Sequence, residues 1–192
     1  MLTQNTNWGN VERAIKNLKQ ARALSARRIH AMPIDELAEL IRPSGYFNVK
    51  ARRLKSFVDH LVERHGGSMK RMRSGDLAGL RAELLAINGV GQETADSILL
   101  YALDKSVFVI DAYTKRIMTR HGVLDIKDPY DRFQELFHIA LTPDVALYNE
   151  FHALFVAIGK DLCRPRDPRC SSCPLHGMAI NHPVARPRGI SS

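Results

Sequence analysis

Only one short run in this chain reads as extended backbone, Val107-Phe108-Val109-Ile110, and so short a run cannot found a sheet. Elsewhere apolar and polar residues do not alternate with the period of two that a half-buried strand needs. They recur at three- and four-residue spacing, which predicts helices almost throughout. Asn48, as an N-cap, opens a helix toward Gly66 with Leu54, Phe57, Val58, Leu61 and Val62 on one face. Pro33 and Asp35 open a short helix that stops before Pro43. Segment 75–86 carries Leu77, Leu80, Leu84 and Leu85 at helical spacing, and segment 92–103 turns Ala95, Ile98, Leu99 and Ala102 inward. Further helices start near Ala112, Pro129 and Pro143. With 192 residues, the chain suffices for one all-α domain or two small helical lobes sharing a core.

Hydrophobic residues make up 45% and charged residues 25%, as in an ordinary globular protein. No apolar run reaches the ~20 residues of a membrane-spanning helix. The start, Met1-Leu2-Thr3-Gln4-Asn5-Thr6, lacks a basic-then-apolar signal pattern, so an intracellular, cytoplasmic protein is expected. Lys and Arg outnumber Asp and Glu by 28 to 20, giving a net charge of +8 and a pI near 9.7. That excess suits a polyanionic partner, nucleic acid first. Much of it clusters between Lys50 and Arg73, at Lys50, Arg52, Arg53, Lys55, Arg64, Lys70, Arg71 and Arg73. A solvated helix face would account for the same run. The chain has no internal repeat. Its end, 183–192, holds two prolines, two arginines and no core pattern, and is expected to be a flexible tail.

The most informative stretch is Leu84-Leu85-Ala86-Ile87-Asn88-Gly89-Val90-Gly91-Gln92-Glu93-Thr94-Ala95. A helix ends, a tight Gly-Val-Gly turn follows, and a second helix begins. Gly89 and Gly91 are expected to supply backbone angles that bulky residues resist, and they leave no side chain between backbone and ligand. Amides of the turn, with the N-terminus of the next helix, can then hold a phosphate. Such contacts position DNA without reading its sequence. A plain helix–helix turn would look similar, but the leucine-rich and alanine-rich flanks make the pattern more specific.

This stretch resembles the helix-hairpin-helix element of the HhH-GPD superfamily, in its endonuclease III branch, with Asn88 in place of the usual proline. Val109-Ile110-Asp111-Ala112 resembles the apolar run that ends in that family's catalytic carboxylate, which would be Asp111. Leu2-Thr3-Gln4-Asn5-Thr6 resembles its DNA-inserting glutamine loop, and Gly45-Tyr46-Phe47-Asn48-Val49-Lys50-Ala51 its second wedge loop leading into a basic helix. The motifs keep family order from residue 2 to about 180. The resemblance implies a two-lobed all-α fold with the hairpin and Asp111 facing a cleft between the lobes. It implies DNA contacts from Gly89, Val90, Gly91, Gln4, Tyr46 and Lys50. Taken alone, Asp111 is also an N-cap for the helix that starts at Ala112, and both readings can hold, because the helix dipole favours the anion.

Bifunctional members of the family attack the sugar with a lysine placed directly before the position of Thr94. Here that residue is Glu93, which cannot form an imine. The resemblance therefore implies a monofunctional DNA glycosylase that uses water. Gly-Val-Gly-Gln-Glu-Thr-Ala-Asp, Leu-Thr-Gln-Asn-Thr and Arg42-Pro43-Ser44-Gly45-Tyr46-Phe47 are similar to the 3-methyladenine glycosylase branch. In that branch an aromatic two residues beyond the glutamine loop stacks on the flipped base. Trp8 stands there, making Trp8 and Glu93 base-pocket candidates. A core tryptophan facing inward with Val11 and Ile15 is the alternative. A glycosylase for uracil or mismatches, and a non-catalytic DNA-binding protein on the same fold, are the other functional readings. A monomer acting on double-stranded DNA is expected.

The three cysteines, Cys163, Cys170 and Cys173, are bunched near the end, as in a metal or cluster site and unlike a disulfide framework. Their spacing matches the first three ligands of the family's iron–sulfur loop, with Ala179 where the fourth cysteine would stand. His176 or His182 could take that place, and zinc on three cysteines and one histidine is the alternative. The expected organisation is a glycosylase domain over 1–160, a cysteine loop over 161–182 and a tail over 183–192. The resemblance also implies a further helix, and part of a second, ahead of the glutamine loop, and these are expected to be missing ahead of Leu2.

Overall fold

The computed structural model describes residues 1–178. Ala179, His182 and the expected tail lie outside the described residues. Among the described residues every regular element is helical, and none is long and apolar enough to cross a membrane. The chain forms two compact units, one from Met1 to Lys105 and one beginning at Ser106.

The first unit holds α1 (Trp8–Gln20), α2 (Ala26–Ala31), α3 (Ile34–Leu40), a 3-10 turn (Arg42–Ser44), α4 (Phe47–His65), α5 (Met69–Arg73), α6 (Leu77–Leu85) and α7 (Gln92–Leu103). Four helix starts are fixed by short polar side chains. Asn7, Ser25, Ser68 and Asp76 each accept a hydrogen bond from the amide three residues on. α4 is the spine, packed against α2, α3 and α5. Ala14 and Leu18 of α1, Leu37 and Ala38 of α3, Ile41, and Ala51 and Val58 of α4 form a continuous buried core.

α4 does not start where the sequence suggests. Tyr46, in the left-handed region at φ 47°, occupies the cap position, and its carbonyl already accepts the Lys50 amide. Asn48 therefore lies inside the first turn and is no cap. The other end is conventional. Gly66 at φ 61° and Gly67 turn their amides back onto Val62 and Leu61, which closes the helix.

The inward face of α7 also differs from expectation. Ala95, Leu99, Leu100 and Leu103 are buried, whereas Ala102 is exposed and Ile98 half-buried. The face is rotated because Asp96 is fully buried, where it accepts two hydrogen bonds from Arg81 of α6 at 2.8 and 3.2 Å. Leu85 is likewise outside the core.

The second unit holds α8 (Ala112–Arg120), α9 (Tyr130–Ala140), α10 (Val145–Asp161) and a 3-10 turn (Cys170–Ser172). Val107–Ile110 is extended and buried but pairs with no strand. Its backbone is satisfied by side chains of α9. Gln134 Nε2 donates to the Phe108 carbonyl at 2.6 Å, the Phe108 amide donates to His138 Nε2 at 3.0 Å, and the Ile110 amide donates to the Tyr130 hydroxyl at 3.1 Å. Buried peptide groups need partners, and three polar side chains serve in place of a sheet. Phe108 stacks on Phe137, with ring centroids 3.8 Å apart, and meets Tyr148 edge-on.

Arg81→Ala removes the bidentate partner of a fully buried carboxylate. A loss of about 3 kcal/mol is expected, since an ion pair broken from one side leaves a charge poorly compensated. Chemical denaturation measures it, and Arg81→Ala with Asp96→Asn together should recover part of the loss.

Candidate active site

Asp111 closes the extended segment and caps α8. Its Oδ1 accepts the Thr114 amide at 2.7 Å, so the capping role read from the sequence is real. The second oxygen, Oδ2, lies 3.5 Å from Nε2 of His152 on α10. Burial pushes the Asp111 carboxyl upward. The imidazole of His152 and the Thr114 amide outweigh that effect and hold it below its ordinary value of 3.8. The group is an anion at neutral pH, 12% exposed, with its orientation set from two sides.

His152 is invisible in the linear sequence, where it is one histidine on an aromatic-rich helix. α10 brings it to Asp111 through a close approach two turns further on. A Cβ on Gly159 would lie 2.6 Å from the Tyr113 side chain, so α8 can sit this close only against a glycine. Arg116 then donates to the carbonyls of Gly159 at 2.8 Å and Cys163 at 2.7 Å, tying α8 to the end of α10.

In the first unit the glutamine loop and the hairpin meet. Gln4 donates through Nε2 to Thr94 Oγ1 at 3.1 Å and accepts from Arg53 at 2.9 Å. The stem of Arg53 passes so close to Gly89 that a Cβ there would collide with its Cγ. Gly89, at φ 83°, is thus required twice, by its conformation and by contact. Gly91 is different. Its φ of −92° suits any residue, so the strain expected there is absent. A Cβ on it would meet nothing within 4 Å, and no side chain caps α7. Its value is an open approach to the backbone at the helix start. The Val90 side chain is buried, and its amide donates to the Ile87 carbonyl, so this residue builds the turn.

The remaining first-unit candidates divide. Tyr46 is 72% exposed in its left-handed position. Trp8 is 62% exposed, with Nε1 donating to Glu12, while Val11, Ala14 and Leu18 supply the buried face of α1. The core reading of Trp8 is therefore corrected. Glu93 is exposed in the first turn of α7. Lys50 departs from expectation as a surface contact. It is 3% exposed, and its Nζ donates to the carbonyls of Leu2 at 2.9 Å and Ser44 at 2.6 Å. It braces the glutamine loop against the turn before Tyr46, with burial lowering its pKa.

Cys163, Cys170 and Cys173 line one cavity of about 280 Å³, together with His121, His176 and Arg120. Arg120 donates to Cys163 Sγ at 3.4 Å and to the carbonyls of Arg164 and Pro165, which holds the loop on α8. Neither this cavity nor a second one lined by His60, His65 and Glu83 includes Asp111, Trp8 or Glu93.

Residues 1–141 match the HhH-GPD superfamily base excision DNA repair protein family. A Methanocaldococcus jannaschii protein named as a candidate DNA repair glycosylase is 50% identical over 182 residues, 94% of this chain and 82% of that protein. Endonuclease III of Thermotoga maritima is 29% identical over 90% of this chain and 76% of its own length. Among solved structures, the H. pylori 3-methyladenine DNA glycosylase bound to 1,N6-ethenoadenine superposes with a TM-score of 0.70 at 29% identity, covering 83% of this chain and 80% of that one. An endonuclease III–DNA complex at 23% identity and TM-score 0.76 shares the fold. The chain belongs to the HhH-GPD superfamily of base excision DNA repair proteins.

Proposed function

We propose that this protein is a monofunctional DNA glycosylase that hydrolyses the N-glycosidic bond of alkylated purines in duplex DNA. The observation that carries the reading is the Asp111 carboxylate, ionised and oriented between the Thr114 amide and His152. As the bond between the sugar and the base nitrogen breaks, its electron pair leaves with the base and positive charge develops on the sugar. A fixed anion stabilises that charge. Water then adds to the sugar carbon, and Asp111 accepts the proton it loses. The products are a free base and an abasic site.

The lesion class rests on three features. Glu93 stands where an imine-forming lysine would be needed, so water is the nucleophile. Trp8 offers an exposed π face, which attracts the cationic ring of an N3- or N7-alkylated purine. Such purines leave readily, so one carboxylate suffices without a strong general acid. The H. pylori relative, named for 3-methyladenine, supports the same class. Docking on DNA is assigned to the backbone at Gly89 and Gly91 and the start of α7, with Tyr46 as the wedge and Gln4 held ready by Arg53.

The cysteine loop offers three thiols around a cavity that also presents His121 and His176. A tetrahedral zinc ion would need its sulfurs about 3.8 Å apart. Among the described residues, the donor groups that meet within 4.8 Å of one another do not include these cysteines. We assign the cavity to an iron–sulfur cluster that Cys163, Cys170, Cys173 and one further ligand would hold, which is supported by the three thiols lining it together. Such a cluster would lend the loop rigidity, while Arg164, Arg166 and Arg169 supply positive charge for phosphates.

Incubated with methylated duplex DNA, the wild type should release 3-methyladenine or 7-methylguanine, and Asp111→Asn should release it about 100-fold more slowly or worse. Release that survives the substitution would remove Asp111 from the mechanism. Borohydride should trap no covalent adduct, whereas a strong adduct would establish an amine nucleophile. Trp8→Ala should lower excision about tenfold or more while DNA affinity changes little, and equal losses in both would make Trp8 structural.

The depressed pKa of Asp111 carries a sign. Its favourable contribution is present above the unfolded value of 3.8 and is lost as pH falls through the lower folded value. The stability gap between wild type and Asp111→Asn should hold from neutrality to about pH 5 and close below it.

A further inference from the structure

Two imidazoles in the first unit converge on one carboxylate oxygen. His60 and His65 lie on the last turns of α4, and Glu83 lies on α6. Nε2 of His60 and Nε2 of His65 each stand 2.5 Å from Glu83 Oε1. The three donor atoms all fall within 4.8 Å of one another, the one such group among the described residues. Their side chains are 23%, 17% and 22% exposed, sheltered enough to limit competing water and open enough to admit an ion. They line a cavity of about 650 Å³ that Arg64 and Arg71 also border.

We propose that His60, His65 and Glu83 form a binding site for a divalent transition-metal ion of the zinc class, separate from the cysteine loop. Two imidazole nitrogens and one carboxylate oxygen are a donor set such ions favour, at about 2.0–2.2 Å from the metal. Tetrahedral angles would place the donors about 3.3 Å apart. The nitrogens must therefore withdraw from Oε1 by less than 1 Å, a movement that small side-chain rotations supply. Each imidazole would carry its proton on Nδ1 and present the Nε2 lone pair. The fourth position opens to the cavity, where water or an anion would be stabilised by Arg64 and Arg71. In the absence of metal, hydrogen bonds from the two rings to Glu83 fill the same place and lower its pKa against the burial that raises it.

The ion would pin the end of α4 to α6. α4 carries Arg53, which grips Gln4 and Gly89, and α6 leads directly into the turn at Gly89–Gly91. The site is therefore structural, acting on the posture of the hairpin, and it stands whether or not the glycosylase reading does.

Chelator-treated protein titrated with Co²⁺ tests this. One equivalent should bind with visible ligand-field bands and without the intense near-ultraviolet charge-transfer band that thiolate ligation produces. Glu83→Gln keeps the shape and a hydrogen-bond acceptor, and His60→Ala removes one donor. Both should lose that equivalent while far-ultraviolet circular dichroism shows the helices intact. Zn²⁺ at a hundredfold excess over its Kd should raise the Tm of the wild type by about 5 °C or more and leave Glu83→Gln unmoved. Absence of a sulfur-free equivalent in the wild type, or its survival in both variants, would overturn the proposal and leave the trio as a hydrogen-bonded bridge.

Discussion

The contact of α8 with α10 at Gly159 is the constraint on which the second unit depends. A helix interior disfavours glycine by about 1 kcal/mol relative to alanine. Here the missing Cβ lets the Tyr113 side chain settle against the α10 backbone. Once the helices are that close, several interactions become available together. Arg116 reaches carbonyls at the end of α10, Arg120 reaches the cysteine loop, and His152 comes within 3.5 Å of Asp111. One glycine thus sets both the electrostatics of the carboxylate and the seating of the loop.

The first unit solves a comparable problem with a long cation. Arg53 lays its stem across Gly89 and gives its guanidinium to Gln4, which in turn donates to Thr94. Three segments remote in sequence are thereby joined by one side chain: the glutamine loop, α4 and the start of α7. Lys50, one turn earlier on α4, performs a matching service beneath them through the carbonyls of Leu2 and Ser44. The basic run in α4 is therefore not one uniform surface. Part of its charge is spent inside the unit, with Lys55 also donating to the carbonyls of Ile29 and His30. Arg52, Arg64, Lys70 and Arg71 remain exposed and available to a polyanion.

Much of this was legible in the sequence, for identifiable reasons. Helix placement was readable because caps and periodicity are local, as at Asp111, where a short polar residue precedes Ala112. The hairpin was readable because its glycines have no substitute at Gly89. What failed depended on partners far along the chain. The burial of Lys50 is decided by carbonyls of Leu2 and Ser44, and the rotation of α7 by Arg81. His152, His60 and His65 gave no linear signal, since a histidine acquires meaning only from what faces it. At Gly91 the expected special backbone angle is absent, while the open space expected beside its backbone is present. Its importance lies in the space around it and not in its backbone angles.

In the proposed reading, glutamate rather than lysine at position 93 changes what the fold must supply around it. An amine nucleophile must be kept neutral to attack, which asks the protein for a desolvated or positively charged setting around it. A carboxylate in the first turn of α7 makes no such demand. It sits where the helix dipole already favours an anion. Asp111 occupies the same kind of position on α8, so two acidic groups are accommodated by two helix starts. Under the function proposed above, the chemistry asked of these residues is the stabilisation of positive charge, on the sugar by Asp111 and on the base by an exposed aromatic such as Trp8. On that proposal such stabilisation suffices for bases that depart easily, and substrate choice would follow from leaving-group chemistry as much as from pocket shape.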